Sequence, residues 1–450
     1  MSKIPCYYCS AEATKNKSMH NVEALNAFLK RLEEIGYTQI EIYAEHHATA
    51  AFTVRAKIED VRYTSRKGVA LRALKDGVAQ QVFAPSLEEL FARFEFAPDA
   101  LPTLGAAVRP ALGESVTAAL LALRAAFSIQ NEKFQGALAH GVFSAREYWV
   151  FHPDRPPARG TEEEARLSAD WEIAGASEPF TWERGRATHA ALLADLGAED
   201  GVSAAIRKSL HSATLWPAPG GNLPVLWSAR VVARLQTLFL QAFEGDRLLD
   251  CASFLAQQPL PLSLAFSIED QSPHGQHDHE GHARKTTYLL KSGRPTALAC
   301  NRRVAGLLEV EPTGHARRQS YDSPATLGFW HACVEGENAE DGLLERMEKG
   351  LLVQDLEVLA YDPGTGRARL RLSDSRLVHH GQPGEAVEPL ELTLAVVELL
   401  QSFKRFEKTK RTTGVLVAKN NQSLLTEISA PAALSEGLLL PGSVPPENYW

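Results

Sequence analysis

Cysteine is scarce in this chain of 450 residues: five, at Cys6, Cys9, Cys251, Cys300 and Cys333, an odd number without a framework spacing. That excludes a small secreted domain stapled by disulfides and fits a reducing compartment. Long hydrophobic runs are missing as well. No window reaches the roughly 18 apolar residues of a membrane span, and the opening MSKIPCYYCSAEATKNKS has no apolar h-region. The expectation is a cytoplasmic protein without a membrane partner. Nor is positive charge in excess, since 47 basic side chains face 55 acidic ones for a net −8. Without a Lys/Arg stripe there is no electrostatic footprint for nucleic acid, and the short run Lys404 to Arg411 reads as a solvated helix end. GxSxG, GxGxxG and GxxxxGK[ST] are all absent, so neither a serine-hydrolase elbow nor a phosphate loop is present.

What remains is a globular composition, 44% hydrophobic and 23% charged. At roughly 150 residues per domain the length predicts two or three domains, each able to bury a core. Residues 21–35 place Val22, Leu25, Phe28, Leu29 and Leu32 at helical spacing before Gly36. Short alternating runs from residue 40 to 83, with a turn at Lys75-Asp76-Gly77, predict an antiparallel meander. Ser86 and Glu89 have the spacing of a capping box. The proline- and acid-rich segment from Phe151 reads as a surface excursion before a helix near Thr188 to Leu196. In LWPAPGGNLPVLW, residues 215–227, three prolines and two glycines mark the domain junction. From Ser228 a helix carries Val231, Leu235, Leu238, Phe239 and Ala242 on one side. LSLAFSIED, KTTYLLKSG, LLVQDLEVLAYDPGTGRARLRLS and PLELTLAVVELL then read as strands. The fold class is α+β: an N-terminal α/β meander domain, residues 1–215, and a C-terminal antiparallel, β-rich, barrel-like domain, residues 216–450.

Two clusters invite a metal. His274, His277, His279 and His282, interleaved with Asp278 and Glu280, offer imidazole and carboxylate donors. The segment between Pro273 and Gly281 reads as a loop, so a solvated loop is the favoured reading and metal binding the alternative. The pair Cys6 and Cys9 is a lone CxxC, for which a frayed terminus is the simpler reading. Arg317 and Arg318 can grip a peptide carboxylate bidentately, although adjacent arginines are more often surface charges. Asp278, Glu280 and Gly281 suit either a binding loop or a turn.

Read in order, several segments resemble the TldD/PmbA family of peptide-processing proteins. Gly68, Arg72, Asp76 and Gly77 match its Gly-x-x-x-Arg strand and Asp-Gly turn. Glu244, Asp246, Ser253, Asp278, Glu280, Gly281, Gly293, Thr313, Gly314, Arg317, Gly350 and Gly366 match its later blocks. One branch of that family carries HExxxH just before Glu244, two histidines for zinc and a glutamate as general base. Here Gln236 and Gln241 stand at the histidine positions and Thr237 at the glutamate position. A glutamine amide is a poor zinc ligand and threonine is no carboxylate base. The stretch NNQSLLTEISAPAAL also lacks the cysteine that adds a ligand in that branch. Gln236 and Gln241 project about 140° apart on a helix; without the resemblance they are two polar residues on a core helix.

The resemblance therefore implies the PmbA/TldE-like branch. Such a chain binds no cofactor itself and has no catalytic residue. It pairs with a TldD-like zinc metallopeptidase, as a heterodimer or a higher hetero-oligomer, enclosing a chamber where unfolded or modified peptides are cleaved. Leader-peptide removal from ribosomally made natural products is one such role. Asp278, Glu280, Gly281, Thr313, Gly314 and Arg317 are the implied peptide- or partner-contacting positions. Two other classes remain open: a stand-alone enzyme with another activity, holding metal at the histidine loop, and a homodimeric peptide-binding module.

Overall fold

The computed structural model describes residues 11–55, 58–95, 109–128, 131–174, 180–198, 200–211, 215–250, 252–257, 262, 264–271 and 277–442. Its first half alternates helices with long strands: α1 (Ala11–Glu34), β1 (Tyr37–Arg55), β2 (Ile58–Lys75), β3 (Val78–Ala84), α2 (Leu87–Ala92), α3 (Arg109–Phe127), β4 (Phe134–His152), β5 (Arg155–Ile173), β6 (Phe180–Arg186), α4 (His189–Gly197) and α5 (Val202–His211). Local chemistry sets several of these boundaries. Asp76 and Gly77 take φ of 52° and 76°, the left-handed pair that a tight hairpin between β2 and β3 requires. Ser86 caps α2 by accepting from the Glu89 amide, and Thr188 caps α4 the same way from Ala191.

The six strands make one antiparallel sheet in the order β3-β2-β1-β4-β5-β6. Because side chains alternate across a strand, the two faces of β1 differ completely. Ile40, Ile42 and Ala44 pack under α1 and α2 with Phe28, Leu29 and Phe91. Ala48, Ala50, Phe52 and Val54 pack under α3, α4 and α5 with Val116, Leu123, Leu192 and Ile206. The opposite face carries Glu41, Tyr43 and Glu45, all buried; Glu41 meets Arg318 and Tyr43 meets His279 in the second half of the chain, while Glu45 pairs with Arg146 of β4.

That half contains β7 (Gly220–Trp227), α6 (Ala229–Leu240), a 3-10 turn (Gln241–Phe243), α7 (Gly245–Leu249), β8 (Phe266–Gln271), β9 (Thr287–Lys291), β10 (Arg294–Pro295), α8 (Arg302–Leu308), β11 (Ala316–Arg317), β12 (Thr326–Leu327), β13 (His331–Gly336), β14 (Ala339–Glu340), β15 (Lys349–Asp362), β16 (Arg367–His379), β17 (Gln382–Val387), β18 (Leu390–Ala395), α9 (Val396–Gln401), β19 (Phe403–Lys419) and β20 (Gln422–Pro441). Twelve of its strands form a second, mainly antiparallel sheet along β10-β9-β8-β13-β20-β7-β15-β16-β17, with β14, β18 and β19 at its sides. Parallel pairs join β13 to β20, β7 to β15 and β14 to β19. Helix α6 lies on this sheet, and Val231, Leu235 and Phe239 share one core with Phe266, Val353, Leu370 and Ile428. No helix among the described residues is long and apolar enough to cross a membrane.

The α+β reading holds, with four local corrections. The sheet is an open path, so the second half is not a closed barrel. The segment after Phe151 is no excursion: Arg155–Ile173 is a full strand hairpinned to β4. Its prolines 156 and 157 are tolerated because β6 pairs only with Ala165–Trp171 and the β4 register slips beside them, as expected at edges and bulges. Lys404 to Arg411 lies in β19 rather than at a helix end, and PLELTLAVVELL is half strand, half helix. Within 215–227, the residues from Gly220 on form a strand between β20 and β15.

Candidate functional site

Helix α6 starts at Ser228, whose hydroxyl accepts from the Val231 amide at 3.3 Å, and its C-terminal end borders a recess. Thr237 and Gln241, four residues apart and hence on one face, line it with Leu240 and Glu244. Leu327, Phe329, Val417 and Leu424 form apolar walls, and Lys419 enters from the tip of the β19–β20 hairpin. Gln236 is not part of the lining. It is fully buried, and neither end of its amide has a hydrogen-bond partner. The structure thus brings Thr237 and Gln241 to the recess and leaves Gln236 inside, as their angular separation on a helix requires.

Four charges close the recess. The Lys419 ammonium donates to Glu244 Oε2 at 2.8 Å and to Asp246 Oδ1 at 3.1 Å, with Asp246 Oδ2 at 2.9 Å. Arg247 Nε donates to the same Glu244 oxygen at 2.7 Å, and its Nη2 to Gln241 Oε1 at 3.1 Å. Burial pushes the Glu244 carboxyl up, and Lys419 and Arg247 pull it back toward the ionised form. Sequence reasoning found the two carboxylates but missed both cations. The available signal was the Asn420-Asn421 pair after Lys419, at φ of 50° and 59°, a left-handed turn that sets Lys419 at a hairpin tip.

A second constellation forms where the polar face of the first sheet meets residues 277–284 and 315–323. Here the solvated reading of the histidine loop fails. Asp278, His279 and Glu280 are buried, and Asp278 organises a tight turn by accepting from the amides of Glu280, His282 and Ala316. Gly281, at φ 76°, presses against Val150 and Ala158. His279 Nδ1 accepts from the Arg318 amide at 2.7 Å, so Nε2 carries the proton and donates to Glu162 Oε1 at 3.0 Å. Burial drives its pKa down to about 3, leaving the ring neutral. Glu162 is the hub: it also receives Arg284 at 2.6 Å and Arg146. Burial would raise its carboxyl, but His279 and Arg146 hold it well below the usual range. His282, half-buried against Arg155, and His47 are each pushed down to about 4, chiefly by burial. His277 contributes its main-chain carbonyl to Tyr148. His274 and the Cys6–Cys9 pair lie outside the described residues. Among the described residues no three His, Cys, Asp or Glu side chains gather in a metal-holding group.

Arg317 and Arg318 are not surface charges. Arg317 donates to the Phe329 and Leu425 carbonyls at 2.7 and 2.6 Å and lies over Trp330; Arg318 pairs with Glu41. Burial would raise Glu41, and Arg318 and Arg72 hold it low. The Glu280 carboxylate accepts from the Arg302 amide at 2.7 Å. Burial, with Glu41 and Asp278 nearby, pushes its carboxyl up to about 7. Thr313 braces the Cys300 amide and His315, and Gly314 leaves room for the Ala283 carbonyl.

The Gly68-x-x-x-Arg72 pattern gains a physical meaning here. Arg72 Nη2 donates to the Tyr321 and Ser323 carbonyls at 3.0 and 2.6 Å, and a Cβ on Gly68 would stand 2.1 Å from the Tyr321 ring. Gly68 is thus the seat of Tyr321. Gly68→Ala is expected to expel that ring and lower stability by about 1–3 kcal/mol, the usual cost of overpacking. The decrease should shrink in Gly68→Ala/Tyr321→Ala, measured by urea unfolding, and an unchanged single variant would refute the contact.

Residues 220–439 match the model of the PmbA/TldA metallopeptidase C-terminal domain. Over 126 residues the chain is 27% identical to a protein of Methanothermobacter thermautotrophicus named metalloprotease, a stretch covering 28% of each of the two chains. Its fold is similar to that of TldE from Thermococcus kodakarensis, with a TM-score of 0.71 at 16% identity over 93% of this chain and 99% of that one. A Bacteroides thetaiotaomicron protein described as a candidate modulator of DNA gyrase is equally similar, 0.71 at 17% identity over 96% and 100%.

Proposed function

We propose that the chain, whose residues 220–439 match the PmbA/TldA metallopeptidase C-terminal domain, is a TldE-like subunit of the TldD/PmbA family, without a metal of its own and paired with a TldD-like zinc metallopeptidase that cleaves unfolded or modified peptides. The observation that carries this reading is the donor set at the end of α6. An amide, a hydroxyl and two carboxylates already held by Lys419 and Arg247 do not fit zinc, whose sites are built on imidazole or thiolate with carboxylate as a supplement. The partner's zinc would supply the activated water. This chain's share is to complete the chamber and to present main-chain donors and acceptors to an extended peptide. The edge of β2 favours that share, because β3 pairs with it only from Val69 onward and, among the described residues, no strand pairs with residues 59–67 on that side. Maturation of ribosomally made peptides is the proposed setting.

Metal content and peptidase activity of the purified chain, alone and mixed with an HExxxH-bearing homologue from the same source, test the reading. The expected result is a zinc-free, inactive chain that forms a stable, active complex on mixing. Stoichiometric zinc or turnover by the chain alone would overturn it.

A further inference from the structure

We propose that Lys419 is the resident cation of the α6 recess, taking by its ammonium the place a divalent ion would otherwise occupy between Glu244 and Asp246. This rests on the reading that the chain holds no metal there, and adds the reason.

Charge arithmetic comes first. Glu244 and Asp246 contribute two negative charges, Lys419 and Arg247 two positive, and the recess closes at zero within the chain. Adding a divalent ion to a neutral site whose Glu244 is almost fully buried would leave two uncompensated positive charges, which a low-dielectric site disfavours strongly. Geometry agrees. The ammonium touches oxygens of both carboxylates at 2.8–3.1 Å, and its side chain is only 8% exposed, so it is a fixed occupant and not a surface ion pair. Its delivery is built into the backbone: Asn420 and Asn421 make the hairpin turn, and Asn420 Nδ2 anchors to Thr326 Oγ1 at 3.0 Å.

Once the ammonium is removed, the donors are all hard oxygens: two carboxylates, with the Gln241 carbonyl and Thr237 hydroxyl bordering the same space. Such a set suits manganese, magnesium or calcium rather than zinc. Removing Lys419 leaves a net charge of −1, and removing Arg247 as well leaves −2, so affinity is expected to rise in that order.

The test titrates full-length protein with Mn²⁺ and follows the loss of the free-ion signal by electron paramagnetic resonance. The wild type and Lys419→Arg are expected to bind none in the recess. Lys419→Met should bind one equivalent, Lys419→Met/Arg247→Met should bind it at least tenfold more tightly, and adding Glu244→Gln should abolish it. Circular dichroism and thermal melting establish that each variant is folded. A folded double variant that binds no Mn²⁺, with a metal-free wild type, overturns the role of Lys419 and leaves the functional reading standing. A wild type that already binds a divalent ion at this site overturns both.

Discussion

Replacing Glu162 by methionine is expected to cost about 3–5 kcal/mol, the penalty for stranding buried charge. Glu162 receives Arg146, Arg284 and His279 at once, and the side chains of Arg146 and Arg284 are 11% and 2% exposed. Methionine fills the volume but leaves both guanidiniums facing each other across the seam between the sheets. Arg284 keeps Tyr148 and the Trp330 ring, and Arg146 keeps the Arg318 and Gln319 carbonyls. Arg146 also keeps the Glu45 carboxylate at 3.7 Å, which offsets only part of the loss. Urea unfolding followed by circular dichroism reads the effect. A loss below about 1 kcal/mol, the range of an exposed pair, would mean that the seam is wet and the network is not a structural hub.

Acid should weaken the same seam. His279 and His47 titrate at about 3 and about 4 against an ordinary 6.5, because burial disfavours the imidazolium. Below pH 6.5 the unfolded chain takes up protons that the folded chain refuses, so the stability they confer is present above 6.5 and is lost as pH falls toward 4. Going from pH 7 to pH 5, each contributes a loss on the order of 2 kcal/mol. Glu280 acts with the opposite sign. Its carboxyl, up from 4.5 to about 7, keeps its proton in the folded chain, so its stabilising effect is complete below 4.5 and is lost as pH rises through 7. Over the same interval it returns on the order of 2 kcal/mol. His282 is half-exposed and solvent-screened, and is left out of the sum. For these three groups the sum is a loss on the order of 2 kcal/mol by pH 5, roughly doubled in Glu280→Gln. Melting curves from pH 5 to 8 measure it, and a flat profile in both proteins would contradict the burial of these rings.

Elements governed by neighbours in sequence were legible from sequence. Ser86 with Glu89, the Asp76-Gly77 turn and the amphipathic stretch after Ser228 each carry their signal within a few residues. The seam carries none. Glu41 meets Arg318 across 277 positions and Glu162 meets His279 across 117, and no periodicity encodes such pairs. Polarity also misled: the histidine loop and the paired arginines look solvent-bound by composition. Asp278 satisfies three amides, and Trp330 and Glu41 receive the guanidiniums, so the whole group can be buried. Lys419 escaped notice because a lysine beside a turn is ordinary. Only the carboxylates that the fold brings to it make it unusual.

The charged face of the first sheet also bears on how the chain is made. Arg66, Arg72 and Arg146 reach their partners in 318–323 only after 172 to 256 further residues. At a synthesis rate of about 5–20 residues per second, that face waits roughly ten to fifty seconds on the ribosome before it can be covered. An apolar face of the same extent would be an invitation to chaperones or to neighbouring nascent chains. One built from Glu41, Glu45, Arg66, Arg72 and Arg146 stays wetted until its partner strands emerge.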